Sequence, residues 1–317
     1  MEKKEKIILI QGISLISCFI LISIILLTPL FFDFAWNDAL RDLLPETKYF
    51  FRYITELGGT FIYLIIFFII FWGINKKMGK ILLFVYVSSN FVNYYAKAII
   101  SNDRPPESDW LLIGASHLST PSGHAMSSTV FWGMNSMKIK RLAMWIISII
   151  IIFLVGLSRI YLGVHWLGDV ITGWLFGIII LLLVWILEEP LNSFVSKYNV
   201  IYFYLGLAIF GLTVMIFTEF FYDSTYNFGA PGGQMIGLGL GFALEHKYVN
   251  FEIEFNPGEK WKQILRILLG LLFIGLLFLG LNLILDSDIV WLKALHYILT
   301  LLIGISLWPF IFKKIGL

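Results

Sequence analysis

The chain has 317 residues, of which 59% are hydrophobic and 14% are charged. Soluble domains have about 25% charged and about 45–50% apolar residues, so this composition excludes an ordinary soluble domain and favours an integral membrane protein. The net charge is only +2. The basic residues are scattered over loop ends instead of forming one patch, which argues against a nucleic-acid partner. The one cysteine, Cys18, excludes an intramolecular disulfide.

Long apolar runs occur along the whole chain, and a helix needs about 20 apolar residues to cross a bilayer. The runs lie at about 7–32, 58–74, 81–100, 123–137, 143–161, 166–187, 200–220, 263–284 and 291–312. A tenth candidate, at about 230–246, is short and rich in glycine. The first run is far longer than the core of a signal peptide, so we interpret it as a retained helix. These runs predict an all-α fold, a polytopic membrane helical bundle.

Lysine and arginine residues in short loops predict the orientation of the spans. They occur before the first span, between the second and third, and between the fourth and fifth: Lys3, Lys4, Lys6, Lys76, Lys77, Lys80, Lys138, Lys140 and Arg141. If the chain alternates across the membrane, these residues share one side, which we predict to be cytoplasmic. A crossing at 230–246 places Lys247, Lys260, Lys262, Lys313 and Lys314 on that side as well. We therefore predict ten crossings, with both termini in the cytoplasm.

Residues 33–57 connect the first two spans on the outer side. Apolar residues such as Trp36 and Leu40 alternate with polar ones such as Asn37 and Arg41 at roughly helical spacing. This pattern predicts a surface helix in the membrane interface. Such a helix would shield a site, guide a lipid or serve as a plain structural cover.

Three polar clusters lie between residues 97 and 169, each at the end of an apolar run. The second, Pro-Ser-Gly-His at 121–124, is typical of a helix start, with Thr120 as the N-cap and the proline at the first helical position. Such a start leaves the next backbone N–H groups without intrahelical partners, and together with the helix dipole they favour an anion. His124 would then lie in the first turn, where a general acid could protonate a group bound there.

The other two clusters hold cations and a histidine–carboxylate pair. Lys97 and Arg104 are seven residues apart, about two helical turns, and would share a face if the helix continues. Arg159 ends the fifth span. His165 and Asp169 are four residues apart, and a carboxylate bonded to one imidazole nitrogen leaves the other as a nucleophile or base. Taken alone, the two cations could be interface groups and the pair could be structural.

The clusters are informative because they occur together on one predicted side of the membrane. Their three cations outnumber the acidic residues Asp103 and Asp169, which favours a multiply charged anion, and a tetrahedral phosphate fits best. Asn90 and Asn93 share a helix face with Lys97, where they either join helices or support the site.

The combined pattern of the clusters resembles a known signature. Its three parts, in chain order, are Lys-x6-Arg-Pro, Pro-Ser-Gly-His and Ser-Arg-x5-His-x3-Asp. Together they are similar to the three-part motif of the type 2 phosphatidic acid phosphatase superfamily. This superfamily includes membrane lipid phosphate phosphatases and shares its core with vanadium haloperoxidases. The resemblance covers about residues 1–190. The positions that match in order and spacing are Lys97, Arg104, Pro105, Pro121, Ser122, Gly123, His124, Ser158, Arg159, His165 and Asp169.

The resemblance implies a role for each site residue. His165 would be the nucleophile that forms a phosphohistidine, Asp169 would orient it, and His124 would protonate the leaving oxygen. The phosphoryl oxygens would be held by Lys97, Arg104, Ser122, Gly123 and Arg159. No metal and no cofactor is implied, and a buried His165 must be neutral near neutral pH in order to attack. His117, in the loop before the second cluster, has two interpretations: an ordinary loop residue, which we favour, or a ligand of the lipid head group.

Two domains are predicted: a six-span phosphatase core at 1–190, and a membrane extension of unknown role at 191–317 with about four further spans. In the extension glycines recur every four residues, at Gly229, Gly233, Gly237 and Gly241. Small residues at this spacing let helices approach closely, against the core or against a second copy in a homodimer. A lipid-lined groove or a broken helix at a transport site is the alternative.

The predicted function is hydrolysis of a membrane lipid phosphate or diphosphate at the outer face of a plasma membrane, with a composition that favours a prokaryote. Candidate substrates are polyprenyl diphosphate, phosphatidic acid and phosphatidylglycerol phosphate, among which the sequence does not choose. One alternative is phosphotransfer between lipid head groups on the same core. Another is a non-enzymatic lipid transporter with a vestigial site, which the complete motif set disfavours. A haloperoxidase is least favoured, because a membrane-buried site suits lipid phosphates.

Overall fold

The structure, a computed structural model, describes residues 3–111, 118–221, 227–253 and 259–317, and these residues form helices joined by short connections. In chain order the α-helices are α1 Lys3–Leu27, α2 Ala35–Leu43, α3 Lys48–Glu56, α4 Thr60–Ile69, α5 Lys76–Ile100, α6 Gly123–Ile139, α7 Leu142–Tyr161, α8 Leu167–Val195, α9 Val200–Phe221, α10 Gly229–Leu244, α11 Lys260–Ile284, α12 Val290–Leu302 and α13 Trp308–Lys314. Wider π-helical turns continue α4, α10 and α12 at Ile70–Ile74, Glu245–Val249 and Ile303–Leu307. The predicted all-α class is confirmed.

Every predicted span coincides with a helix, including the tenth. Within the described residues, six helices are long and apolar enough to cross a membrane: Lys6–Leu27, Leu142–Tyr161, Leu167–Val195, Val200–Phe220, Lys260–Ile284 and Val290–Lys314. The helices at the other four predicted spans, α4, α5, α6 and α10, are shorter or carry more polar residues. The polar side chains of α6, such as Ser128 and Asn135, are buried inside the protein. The chain is therefore an integral membrane protein, while the number of crossings stays a prediction.

The connection at 33–57 contains two short helices, α2 and α3, so the prediction of a single surface helix is wrong. α2 ends at Leu43, and Pro45 follows closely. A residue before proline avoids the helical conformation, because the proline ring clashes with its backbone. Glu46 then takes up a left-handed conformation, with φ of 61°, before α3 begins at Lys48.

The chain forms two compact units, Met1–Tyr63 with Ser88–Pro190 and Leu64–Val87 with Leu191–Leu317. The second unit therefore includes residues 64–87 in addition to the predicted extension. In the first unit α6, α7 and α8 pack closely. A Cβ built on Gly173 of α8 would lie 3.0 Å from the Cβ of Ala125 in α6.

In the second unit α10 packs against α9 and α12. Its four periodic glycines each face a residue of α12 or the turn that continues it: Val290, Ala294, Ile298 and Ile305. These contacts advance in the same direction along both segments, so α10 and α12 run parallel. Because α12 covers this face, the homodimer predicted through the glycine-rich segment is not supported. α10 is also continuous, which contradicts the broken-helix alternative.

A buried ion-pair cluster lies at the C-terminal end of α10. Glu245 is 0% exposed, and its carboxylate oxygens lie 2.5 Å from Lys76 Nζ and 2.9 Å from Lys80 Nζ. Lys76 also donates to the carbonyl of Phe251 at 2.8 Å. The C-terminal end of α10 thus lies beside the N-terminal end of α5. This placement fits the prediction that residues 230–246 cross the membrane.

Candidate active site

His165 lies in the turn between α7 and α8, and Asp169 lies in the first turn of α8. Gly163 forms this turn with a φ of 75°, a conformation that glycine adopts without steric cost. Nδ1 of His165 is 3.0 Å from Oδ2 of Asp169, as the spacing of four residues predicts. Their side chains are 2% and 0% exposed, so the pair is shielded from bulk water.

Arg104 indicates which nitrogen of His165 carries the proton. Its Nη1 is 3.1 Å from Nε2 of His165 and 2.5 Å from the carbonyl oxygen of Val164. A guanidinium has only donors, so Nε2 accepts and carries a lone pair. In the neutral imidazole Nδ1 then carries the proton and donates it to Asp169. This tautomer is assigned from the hydrogen bonds, and it leaves the free lone pair of the imidazole on Nε2.

The surroundings of His165 favour its neutral form. Burial, and then the nearby cations Arg104, Lys97 and Arg159, lower the pKa of His165 well below its ordinary value. A lowered pKa keeps the imidazole unprotonated at neutral pH, as a nucleophile requires. Burial also lowers the pKa of Arg104 to about 10, which leaves its guanidinium charged at neutral pH.

The other two cations lie in the last turns of α5 and α7. Lys97 donates from Nζ to the carbonyls of Leu118 at 2.6 Å and Ser119 at 2.8 Å. Arg159 is 4% exposed and donates from Nη1 to Oγ1 of Thr55 at 2.7 Å, while its buried Nε has no hydrogen-bond partner among the described residues. Within the described ranges, neither cation pairs with a carboxylate. The cluster therefore holds surplus positive charge.

α6 begins at Gly123, later than the sequence predicts, with Ser122 as its N-cap residue. Thr120 does not cap the helix. The N–H of Ser122 donates to the backbone carbonyl of Asp169 at 2.9 Å, so the prediction that this group is free for an anion is wrong. The carbonyl of Pro121 is held at 3.1 Å by Nδ2 of Asn93, which gives this asparagine the supporting role.

The side chain of Ser122 and the first turn of α6 carry further hydrogen-bond donors. Oγ of Ser122 is buried and has no hydrogen-bond partner in the described part of the chain. Gly123 and His124 occupy the first turn, where backbone N–H groups have no intrahelical acceptor. This is the arrangement that favours an anion near a helix N-terminus.

His124 packs against the turn between α3 and α4. A Cβ built on Gly58 would lie 3.2 Å from Cδ2 of His124 and 2.6 Å from Cγ1 of Val155. His124 is also within electrostatic range of His165 and Arg159. Both histidines thus belong to one cluster, and Gly58 leaves space for the His124 ring.

Sequence reasoning missed several residues that hold this cluster. Asn37 of α2 is 0% exposed and donates from Nδ2 to the carbonyls of Ile160 at 2.7 Å and His165 at 3.1 Å. Arg41, one turn later, donates to the carbonyl of Tyr161 at 2.9 Å. α2 therefore fixes the backbone of the turn that carries His165. The polar stripe of the amphipathic pattern was the signal for Asn37, whereas nothing in the sequence singled out Thr55 or Gly58.

Asp169 has further partners that the sequence did not predict. Thr120 Oγ1 donates to Oδ1 at 2.5 Å, the N–H of Trp166 donates to Oδ2 at 2.9 Å, and the hydroxyl of Ser119 also donates to Oδ2. No group of three or more His, Cys, Asp or Glu side chains within the described ranges is placed to hold a metal ion. His117 lies outside the described residues.

Two family models match this chain. Residues 79–193 match the PAP2 superfamily, and residues 229–317 match the PAP2 superfamily phosphatase, transmembrane extension. The chain belongs to the PAP2 superfamily. The first match contains all the predicted site residues, and the second covers α10 to α13, a segment outside the three motifs that carry the resemblance.

Curated relatives match this PAP2 chain over part of their length. Sphingosine-1-phosphate phosphatase 1 of Rattus norvegicus is 30% identical over 253 residues, which are 71% of this chain and 57% of the relative. Phosphatidylglycerophosphatase B of Bacillus subtilis is 31% identical over 128 residues, which are 38% of this chain and 62% of the relative. The chain thus spans less than two thirds of the length of these relatives.

A solved structure from Bacillus subtilis is similar to part of the chain. It is described as the first transmembrane PAP2 type phosphatidylglycerolphosphate phosphatase from Bacillus subtilis. It is 28% identical, covers 56% of this chain and 96% of its own, and has a TM-score of 0.48.

Proposed function

We propose that this PAP2 chain is a membrane phosphatase that hydrolyses a lipid phosphate or diphosphate through a phosphohistidine at His165. The observation that carries the proposal is the environment of His165, whose Nδ1 is bound to Asp169 while its Nε2 lies 3.1 Å from Arg104. An imidazole held in this way presents a nucleophilic nitrogen beside a cation. The names of the two curated relatives, a sphingosine-1-phosphate phosphatase and a phosphatidylglycerophosphatase, support a lipid phosphate as the substrate class.

The phosphoryl oxygens are bound by the groups that surround His165: Lys97, Arg104, Arg159, Ser122 and the backbone at Gly123. Buried polar groups nearly always have hydrogen-bond partners. Oγ of Ser122 and Nε of Arg159 have none among the described residues, and a phosphate oxygen would be an acceptor for both. Cations that meet phosphate in a buried site form strong, charge-assisted hydrogen bonds.

The reaction proceeds in two steps. Nε2 of His165 attacks phosphorus, and the bond to the leaving oxygen breaks as His124 donates a proton to that oxygen. Asp169 stabilises the charge that develops on the imidazole. Water then attacks the phosphohistidine, His124 accepts a proton from it, the P–N bond breaks and inorganic phosphate leaves. The cations stabilise the phosphoryl oxygens in both transition states without a metal ion.

The site faces the outer side of the membrane in this proposal. Lys76, Lys77 and Lys80 lie at the N-terminal end of α5, and Lys97 lies near its other end. Basic loop residues favour the cytoplasmic side, so we expect Lys97 on the outer side. Ten crossings would then leave both termini in the cytoplasm, and we propose the plasma membrane of a prokaryote as the location.

A phosphate-release panel tests the proposal. Purified protein in detergent, with EDTA present, is given polyprenyl diphosphate, phosphatidic acid, phosphatidylglycerol phosphate, sphingosine 1-phosphate and a soluble phosphomonoester. We expect release from at least one lipid at a higher kcat/KM than from the soluble ester. His165→Ala should lower this rate about 1,000-fold or more, as loss of a nucleophile does.

The matched control for the panel is His246→Ala, because His246 is exposed and lies outside the site. Undiminished release by His165→Ala would contradict the mechanism. Recovery of the phosphoryl group on a second lipid, with no free phosphate, would favour the phosphotransferase alternative. Absence of release from every lipid would contradict the phosphatase assignment and favour a transporter.

A further inference from the structure

The carboxylate of Asp169 is bound by uncharged donors alone among the described residues. It receives hydrogen bonds from Nδ1 of His165 at 3.0 Å, Oγ1 of Thr120 at 2.5 Å, the N–H of Trp166 at 2.9 Å and the hydroxyl of Ser119. An ionised carboxylate accepts at about four positions, so these donors saturate it. No Lys or Arg of the described ranges forms an ion pair with it. Its negative charge is therefore not cancelled by a direct cation.

The hydroxyl group of Thr120 donates its one proton to Asp169. Nδ2 of Asn102 donates to Oγ1 of Thr120 at 3.0 Å. A hydroxyl has one proton, and an amide nitrogen can only donate, so the threonine proton must point to the other partner. That partner is Oδ1 of Asp169 at 2.5 Å. Asn102 thereby orients the threonine hydroxyl toward the carboxylate.

Ser119 connects the cation at the end of α5 to the histidine–aspartate pair. Its backbone carbonyl accepts from Nζ of Lys97 at 2.8 Å. Its hydroxyl donates to Asp169 and lies 3.3 Å from Nδ1 of His165. The residue is 0% exposed, and its N–H donates to the carbonyl of Asn102 at 2.9 Å. One residue therefore holds a phosphate-binding group and the partner of the nucleophile.

We infer that Ser119 and Thr120 are positioning residues, which keep the Asp169 carboxylate ionised and aligned with Nδ1 of His165. The inference rests on the proposed function. It assigns a role to the two residues directly before Pro121, outside the three matching motifs. Loss of a hydroxyl would leave the carboxylate short of a donor and free to rotate away from Nδ1. The tautomer that exposes the lone pair of Nε2 would then no longer be fixed.

The test compares Thr120→Val, which keeps the shape and removes the hydroxyl, with Thr120→Ser, which keeps the hydroxyl. In metal sites, mutation of a partner that orients a metal ligand lowers metal affinity or activity about 10–100-fold. We expect a loss of that size in kcat for Thr120→Val. KM should stay within about twofold, because phosphate contacts are not removed. Thr120→Ser should keep most of the wild-type kcat.

The pH profile separates positioning from a merely structural role. A carboxylate with fewer donors attracts the imidazole proton more strongly, so His165 should be protonated at a higher pH. The acid limb of kcat/KM should therefore move to higher pH in Thr120→Val and not in Thr120→Ser. Ser119→Ala should behave like Thr120→Val. The control is Ser128→Ala, a buried serine of α6 whose hydroxyl bonds the carbonyl of Ala125 in its own helix.

Two results would overturn the inference. One is a Thr120→Val variant with the kcat and pH profile of the wild type. The other is an equal loss in Thr120→Val and Thr120→Ser without a pH shift, which would indicate packing alone. Melting temperatures of all variants identify any that fail to fold, and Thr120→Val carries the test if Ser119→Ala does not fold. A wild-type protein that releases no phosphate from any lipid would instead defeat the proposed function.

Discussion

Nη1 of Arg104 lies 3.1 Å from Nε2 of His165, so a cation covers the nitrogen that we propose attacks phosphorus. The same Nη1 is bound to the carbonyl of Val164, next to His165 in the chain. A phosphoryl oxygen is a stronger acceptor for a guanidinium than a neutral imidazole, because it is charged. When the phosphate binds, the Arg104 guanidinium would therefore move from Nε2 to a phosphoryl oxygen. Substrate binding would then itself expose the nucleophilic nitrogen.

Replacing Arg104 by glutamine should change the pH dependence of the reaction. Arg104 is the cation with the largest effect in lowering the pKa of His165, after burial. Its removal raises that pKa, so His165 is protonated at higher pH and the acid limb of kcat/KM moves upward. The value of kcat/KM should also fall, because a phosphate contact is lost. Arg52→Gln, at an exposed position of α3, is the control. An unchanged acid limb in Arg104→Gln would contradict the conclusion that Arg104 lowers the pKa of a catalytic His165.

Asn37→Ala should weaken both stability and catalysis. The change leaves the buried carbonyls of Ile160 and His165 without their donor, which costs about 1–3 kcal/mol. It also loosens the turn that positions His165, so kcat should fall while KM changes little. Thermal unfolding and steady-state kinetics measure the two effects. Asp38→Asn, the exposed neighbour on α2, should affect neither. Unchanged kcat in a destabilised Asn37→Ala would restrict Asn37 to a role in folding.

Gly58→Ala should impair His124 through a single methyl group. The new Cβ would be 2.6 Å from Cγ1 of Val155 and 3.2 Å from Cδ2 of His124, so one of these side chains must move. Overpacking of this kind costs about 1–3 kcal/mol, and we expect kcat to fall about tenfold if the imidazole is displaced. Gly12→Ala, where a Cβ would meet nothing within 4 Å, is the matched control. Equal kinetics in the two variants would show that His124 tolerates the methyl group.

Glu245→Gln should destabilise the second unit. The change leaves Lys76 and Lys80 without their buried carboxylate. Breaking a fully buried pair costs about 3–5 kcal/mol, and we expect about 2–3 kcal/mol because both lysines are partly exposed. Glu259→Gln removes the partner of Lys262 in a more exposed pair, where the loss should be about 0–1 kcal/mol. Similar melting temperatures for the two variants would contradict a stabilising role for the Glu245 cluster.

Local spacing predicted much of the fold and part of the site. The pairing of His165 with Asp169 follows from the four-residue spacing, and the ten apolar runs coincide with helices. The contact between Arg104 and His165 joins residues 61 positions apart in sequence, with α6 and α7 between them, so no local pattern predicts it. The start of α6 was misplaced because Thr120 looks like an N-cap, yet its hydroxyl is bound to Asp169. No local pattern shows that a buried carboxylate elsewhere competes for that hydroxyl.

The supporting residues were hidden from sequence reasoning for the same reason. In the sequence, Asn37 is one polar residue of an amphipathic segment, which gives no sign of burial. Only the packing of α2 against the end of α7 shows that Asn37 is buried. The glycines of α10 pack closely against another helix, which was one of the two interpretations of their spacing, but spacing alone does not say which helix they meet. In the structure that helix is α12, a partner from the same chain.

The most direct test of the account is to trap the phosphoryl-enzyme with a labelled lipid phosphate that the release panel identifies. Phosphohistidine is stable in alkali and labile in acid, so the reaction is quenched in alkali within one turnover and the labelled peptide is sequenced by mass spectrometry. We predict that the label is on His165, that it forms no later than free phosphate, and that it is absent from His165→Ala. Phosphate release with the label on another residue, or with no labelled protein at any time within the first turnover, would contradict the account.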